Sequence, residues 1–312
     1  RKCAADPALI RQAMVRGHQI VPLHGPRVTD VLKSMLRPAL MAAPGKQLVV
    51  ADWASIEARV TPWASKTNSG AAKLAIFEAG GDVYVANAAA TFLVPEAKVT
   101  KDQRQIGKIQ ELSCGFAGGV GAFAAMGRAY GLALPESEAQ RMVKAWRRAN
   151  PWSVTYWSAL EEAYNRAMRN PGTEVAAGRV TYLYDRQHLW YVLPSERVLC
   201  YPFARFEDGE ITYAKAAWKP AVDAKEWPRA RLWKGLACEN ITQAVANDIL
   251  RYALRQLEPL GVVLTVHDEI VIETDDPEAV AARMKQVMAT PPLWAAGLPL
   301  AAEVSIMERY GK

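Results

Sequence analysis

The stretch LVVADWASIEARV, residues 48–60, passes from one structural pattern to another around a single acid. After the Pro44–Gly45 turn, the apolar run Gln47–Ala51 predicts a buried strand. Asp52 stands at its end, and Ser55–Val60 opens a helix. A carboxylate at the end of a buried strand is fixed in place and half shielded from water, where a divalent cation can use it. Glu57, five residues on, can face the same pocket from the helix. Strand-terminal acids more often cap a helix or bond a turn, so this stretch alone assigns no function.

Near the other end of the chain, LTVHDEIVIE (residues 264–273) predicts a hairpin. The strands are Val262–Val266 and Ile270–Ile272, and His267-Asp268-Glu269 forms the tip. Asn-Gly or Asp-Gly would satisfy turn chemistry alone. If this hairpin pairs beside the Gln47–Ala51 strand, Asp52 and Asp268 come within reach of common ions. Two magnesium ions held there can activate an attacking hydroxyl and stabilise a leaving pyrophosphate.

Between these strands the pattern is helical from about Thr61 to Ala177. A Thr100-x-x-Gln103 capping box opens a helix near Lys101, and further helices are expected over Glu136–Arg148 and Trp152–Met168. Short aromatic and β-branched runs follow at Val180–Tyr184, Leu189–Val192, Arg197–Tyr201 and Ile211–Ala214. A helix over Asn240–Leu257, a helix begun by Pro277 and a strand near Glu303–Ile306 complete the pattern. Upstream, helices are expected over Asp6–Val15 and from Thr29–Asp30 to Ala42, separated by a Gly/His/Pro-rich loop. Strands at both ends around a helical block imply an α+β fold with a helical insertion.

In the first long helix, Arg104, Lys108, Leu112 and Phe116 recur every four residues and form one stripe, about 18 Å long if helical throughout. Its cationic end can grip a triphosphate while its apolar end stacks on a base. Ile106, Ile109 and Ser113 fall on another face and can pack inward.

Composition is that of an ordinary globular protein, with 38 Lys and Arg against 32 Asp and Glu. The basic excess suits a nucleic-acid partner. The four cysteines are scattered without a CxxC pair, which argues against a zinc site or disulfide framework. The first residues lack the apolar stretch of a signal peptide, and no run approaches a membrane span of about 18–20 apolar residues. A cytoplasmic protein with no membrane partner is expected.

Together these segments resemble the family A DNA polymerases. Asp52-Trp-Ala-Ser-Ile-Glu57-Ala-Arg59 is similar to the first palm motif, and Val266-His-Asp-Glu269 to the second. The Arg104–Phe116 stripe resembles the fingers helix, and Gly81-Asp-Val-Tyr84 a segment near the triphosphate. Asn240-Ile-Thr-Gln243 resembles a polar pair that contacts the template–primer minor groove. All stand in the family's order.

The resemblance implies a right-hand architecture, with a palm built from residues 1–60 and 196–312 and helical fingers from 61–195. It implies a DNA-directed DNA polymerase using two Mg2+ ions, with Mn2+ as a substitute. Asp52, Asp268 and the main-chain carbonyl of Trp53 would hold the ions, with Glu269 as a further ligand candidate. Arg104 and Lys108 would bind the triphosphate, Lys108 also protonating pyrophosphate. Tyr84 and Leu112 would adjoin the nucleotide, Glu57 would exclude ribonucleotides, and Phe116 would lie beside the templating base. His267, Asn240, Gln243 and Arg59 would lie near DNA, although Arg59 also suits a structural role. The implied partners are primer–template DNA and deoxynucleoside triphosphates.

Departures from the pattern at Trp53, Ala54, Ser55, Leu112 and Ala117, with the ending Arg309–Lys312, resemble phage members. Segments similar to the family's thumb and proofreading exonuclease are not found. The chain is therefore expected to be a fragment, a processed product or half of a split enzyme, joined by an N-terminal polymerase portion. The alternative is a DNA-binding polymerase fragment inactive without that portion. A metal-dependent nuclease is disfavoured by the triphosphate stripe, and a single-subunit RNA polymerase by Glu57 and the His-Asp-Glu triplet.

Overall fold

The computed structural model describes residues 11, 12, 15, 29, 32, 33, 35–215 and 227–311. Apart from residues 11, 12 and 15, the helix expected over Asp6–Val15 lies outside them, as does the loop after it. The second expected helix is described chiefly by α1 (Leu36–Ala39), and it stops short of Ala42 because Leu40 is already extended. Met41 instead bridges to Arg309. The chain divides into two compact units, one of Arg1–Ala54, Leu250–Thr290 and Leu300–Lys312, the other of Ser55–Ile249 and Pro291–Pro299.

The first unit is built on four antiparallel strands: β1 (Gln47–Trp53), β9 (Val262–Val266), β10 (Glu269–Thr274) and β11 (Ala302–Met307), in the order β11-β1-β10-β9. The elements β2 to β8 lie between them in sequence and belong to the other unit. Side chains alternate across a strand, so β1 presents Leu48 and Val50 to one face and Val49, Ala51 and Trp53 to the other. Leu48 and Val50 form a buried cluster with Val271 and Tyr310. Helix α10 (Pro277–Ala289) packs on β1 and β11, and its Met288 carbonyl accepts from Trp53 Nε1 at 2.7 Å. Pro277 at its first position and Asp276, whose side chain accepts from the Ala279 amide, fix where it starts.

The second unit begins with helices α2 (Ile56–Ser65), α3 (Asn68–Glu78), α4 (Val83–Phe92), α5 (Lys101–Cys114), α6 (Val120–Ala129), α7 (Glu136–Ala149) and α8 (Pro151–Arg169). The Thr100–Gln103 capping box forms as expected, and Asp82 caps α4. Two sheets follow: β2 (Val175–Ala177), β3 (Val180–Asp185), β4 (His188–Val192) and β5 (Val198–Tyr201), then β6 (Arg205–Glu207), β7 (Glu210–Ala214) and β8 (Arg229–Leu232). Helix α9 (Lys234–Leu257) starts six residues before the expected Asn240. No helix among the described residues is long and apolar enough to cross a membrane.

Helix α8 buries Trp152, Tyr156, Trp157, Leu160 and Tyr164, with Trp157 stacked on Trp146 of α7 at 6.3 Å. Against this aromatic core sits a buried ion pair, Lys73 Nζ to Glu111 Oε2 at 2.9 Å, each side chain 5 % exposed. Glu111 Oε2 also accepts from Asn87 Nδ2 and Trp146 Nε1, and Lys73 donates to Asn150 Oδ1. Burial pushes the Lys73 ammonium below its ordinary range, and Glu111 opposes that shift. The pair ties α3, α4, α5 and α7 to the start of α8. Nearby, a Cβ on Gly107 would fall 2.1 Å from the Tyr84 carbonyl oxygen, so only glycine lets α5 approach α4 this closely.

Removing one partner strands the other charge in a dry interior. Glu111→Ala is therefore expected to destabilise the chain by about 3–5 kcal/mol, seen as a lower urea midpoint. The double change Lys73→Met with Glu111→Leu should unfold at higher urea than Glu111→Ala alone. A midpoint for Glu111→Ala equal to that of the parent chain would refute the assigned role of the pair.

Candidate active site

In the first unit, the β1–β10 register sets Asp52 directly opposite Glu269. On the other side of β1, Asp52 faces Glu303 of β11. Directly opposed residues in an antiparallel pair share a face, with Cβ atoms roughly 4.5–5.5 Å apart. Glu269 pairs with Val266, so the hairpin tip contains only His267 and Asp268. The expected three-residue tip is thus corrected: Glu269 belongs to the strand and is buried. His267 takes a left-handed φ of 59°, uncommon for a side chain of this size. Its Nδ1 lies 3.1 Å from Asp268 Oδ1, and Asp268 remains 28 % exposed.

Glu269 is engaged within the unit. It accepts a hydrogen bond from the Tyr310 hydroxyl, and Arg37 NH1 approaches the same oxygen at 3.7 Å. Burial, followed by the bond to Glu269, pushes the Tyr310 hydroxyl up to about 12, so it remains a donor at neutral pH. A carboxylate held this way has little freedom to coordinate an ion. Among the described residues, no group of three or more His, Cys, Asp and Glu side chains is arranged to hold a metal. A pair of hard carboxylates nevertheless suits Mg2+, which binds through one or two carboxylates and fills its octahedron with water and substrate oxygens. Asp52 and Asp268 fit that donor set.

In the second unit, Glu57, Tyr84, Leu112 and Phe116 line one cavity of 140 Å³, together with Met126 and Trp152. Four of the expected nucleotide-site residues therefore meet, although they come from three helices and a loop. Phe116 lies beyond the last residue of α5, Cys114, so the stripe is a helix face continued by a turn rather than one unbroken helix. Ile109 and Ser113 are buried, as that face requires, whereas Ile106 is half-buried. Gln243 Nε2 donates to Glu57 Oε1 at 3.2 Å and so orients the carboxylate. Tyr84 Oη lies 3.0 Å from Ser55 Oγ, and burial raises its pKa.

The cations stand in the preceding turns of α5. Lys108 Nζ lies 6.0 Å from the Tyr84 ring centroid and 5.4 Å from that of Tyr130. Arg104 Nε donates to Asp82 Oδ2 at 2.6 Å, with side chains 45 % and 36 % exposed. An exposed pair of this kind is worth little, so another anion can displace Asp82 at small cost. Asn240 Nδ2 donates to Tyr201 Oη at 3.0 Å. Arg59 is buried over the Phe77 ring and donates to the Pro299 carbonyl at 2.9 Å, the structural role weighed for it. Asp82, Tyr130, Arg37 and Tyr310 were not anticipated as neighbours of these residues. Only Asp82 carried a local signal, as part of the Gly81–Tyr84 segment.

The family model for DNA polymerase family A matches residues 19–312. The DNA polymerase of Bacillus phage SP02 is 34% identical over 308 residues, covering 97% of this chain and 47% of the phage protein. The thermostable DNA polymerase I of Thermus aquaticus is 26% identical over 300 residues, covering 94% of this chain and 30% of that protein. The chain thus spans about half or less of the length of these relatives. In fold it resembles the POL domain of Pol1 from M. smegmatis, solved in complex with DNA primer-template and dNTP. That likeness has a TM-score of 0.57 at 18% identity and covers 88% of this chain and 42% of the other. A family match over nearly the whole chain, joined to a phage relative at this identity, establishes that the chain belongs to DNA polymerase family A.

Proposed function

We propose that this chain is a template-directed DNA polymerase, with a palm formed by residues 1–60 and 196–312 and fingers by residues 61–195. The observation that carries this is the cavity shared by Glu57, Tyr84, Leu112 and Phe116, with Arg104 and Lys108 in the turns of α5 that precede Leu112. A nuclease has no use for such a cationic row beside an apolar pocket. Primer–template DNA and deoxynucleoside triphosphates are the partners.

In the proposed reaction the primer 3′-hydroxyl oxygen attacks the α-phosphorus. The bond from that phosphorus to the bridging oxygen of pyrophosphate breaks, and the hydroxyl proton leaves to solvent. Asp52 and Asp268, with the Trp53 carbonyl, would hold two Mg2+ ions (or Mn2+) that supply Lewis-acid chemistry when bound. Lys108 neutralises and protonates the departing pyrophosphate, and Arg104 exchanges Asp82 for the triphosphate. Glu57, held by Gln243, closes the space at the sugar 2′ position. Leu112 gives the 3′ side an apolar wall, and Phe116 meets the templating base. Asn240 and His267 would exchange their present contacts for DNA.

A second reading keeps the same site but has the chain bind DNA without extending it, until a further polymerase portion is supplied. It is favoured by the 47% coverage of the phage relative. Primer extension with deoxynucleotides and magnesium, by this chain alone and with a relative's N-terminal portion added, separates the two.

Asp52→Asn and Asp268→Asn are each expected to lower single-turnover nucleotide addition at least about 100-fold with DNA affinity nearly intact. Retention of near-parent rates in magnesium by either variant would remove the metal assignment. Lys108→Ala should lower kcat as well as raise KM for nucleotide, because its charge acts as pyrophosphate leaves. A rise in KM alone would confine it to ground-state binding. Glu57→Ala should reduce the deoxy-over-ribonucleotide ratio of kcat/KM by roughly ten- to a hundredfold. An unchanged ratio would put the sugar gate elsewhere.

A further inference from the structure

Helix α7 has two unlike sides. Its inner side grips α5: Gln110 Nε2 donates to the Met142 carbonyl at 2.8 Å, and Trp146 Nε1 to Glu111. Its outer side carries Arg141, Lys144, Arg147 and Arg148, which with Ser137 and Gln140 line an open groove of 540 Å³. Among the described residues, no acid lines that groove. Arg141 is paired with Glu138 at 2.8 Å. Arg147 is fixed in direction, donating to the Gly118 carbonyl at 3.2 Å with its guanidinium 5.7 Å from the Trp157 ring centroid. Lys144 and Arg148 are exposed and make no ion pair among the described residues.

Four like charges along one helix face repel one another, and i,i+4 pairs of like sign cost stability. Arg147 has a packing role and Arg141 has Glu138, but nothing in the packing of α7 requires Lys144 and Arg148, since Met142, Val143, Ala145 and Trp146 supply its buried side. From Arg141 to Arg148 the row runs roughly 10 Å along the helix, enough for about two successive phosphates of one strand. The cations line a concavity, into which a single backbone can settle while a duplex meets only the rim. We propose that this face of α7 is a binding surface for the phosphates of an unpaired DNA strand. Given the polymerase reading above, that strand is the template ahead of the primer end. The surface is separate from the nucleotide stripe, since none of the residues that line the groove lines the cavity of Glu57, Tyr84, Leu112 and Phe116.

The test compares the parent chain with Lys144→Ala/Arg148→Ala by fluorescence anisotropy at several salt concentrations. One labelled DNA is a primer–template with a long unpaired template tail, the other the same duplex with blunt ends. On the tailed DNA, the slope of log K against log salt is expected to fall in magnitude by about 1.4, that is, two single-strand phosphate contacts. On the blunt duplex it should not change, and the charge-preserving Lys144→Arg/Arg148→Lys should behave as the parent does. Matching melting temperatures verify that both variants are folded. Unchanged slopes on both DNAs, or equal losses on both, would overturn the surface as a single-strand site. Incorporation of one nucleotide opposite a single unpaired template base should be the same in parent and variant. Failure of the parent in that assay would count against the polymerase reading alone, and the slopes would still judge the surface.

Discussion

The antiparallel register of β1 on β10 is the constraint from which the acidic part of the site follows. It sets Asp52 across from Glu269 and leaves a two-residue tip, so that Asp268 stands next to that pair. A slip of one residue would turn Asp52 to the other face and bury Leu48 and Val50 on the wrong side. Both faces resist it. Leu48 and Val50 pack with Val271 and Tyr310 on one side, and on the other Trp53 is tied to α10 through the Met288 carbonyl. Tyr310 and Arg37 hold Glu269 and add a polar lock at the same level of the sheet.

The helical unit solves a different problem, that of presenting cations and an apolar wall from one short helix without letting it roll. The Lys73–Glu111 pair fixes α5 from its buried side, where Glu111 has three donors around one oxygen. Gly107 brings α5 against α4 and so sets the distance to Tyr84. With the inner face anchored, the outer contacts stay weak. Arg104–Asp82 is an exposed pair, and Gln243–Glu57 and Asn240–Tyr201 are single hydrogen bonds, the first between half-buried residues and the second from half-buried Asn240 to buried Tyr201. Interactions of this size, roughly 0.5–1.5 kcal/mol for a hydrogen bond and less for an exposed ion pair, are readily exchanged for ligand contacts.

Local pattern carried far in some segments and failed in others for physical reasons. Strands β3, β4, β5 and β7 announced themselves through aromatic and β-branched residues that pack on a pleated surface. Strands β6 (Arg205–Glu207) and β8 (Arg229–Leu232) did not, since charged side chains take up much of their short length. Arg205 and Arg229 meet Glu207, and Arg231 meets Glu210 across the sheet. The start of α9 was missed because Gly235 weakens the helical signal, although its tight packing against the Trp233 ring accepts only glycine. Periodicity also ran the α5 stripe through to Phe116, because a four-residue spacing does not reveal that the helix ends at Cys114.

By itself the sequence determined the α+β class, the two acid-bearing strand ends, the capped α5 with its cations and the family resemblance. Each of these rests on neighbours in the chain, where spacing and side-chain chemistry suffice. Tertiary structure alone decided that Glu269 is a buried partner of Tyr310 and Arg37, and that Glu57, Tyr84, Leu112 and Phe116 share a cavity. It also decided that Lys73 and Glu111 neutralise one another inside the helical unit. These pairings join residues dozens to hundreds of positions apart. They exist because burial forces each polar group to find a partner, and which partner is within reach depends on how the helices and strands pack.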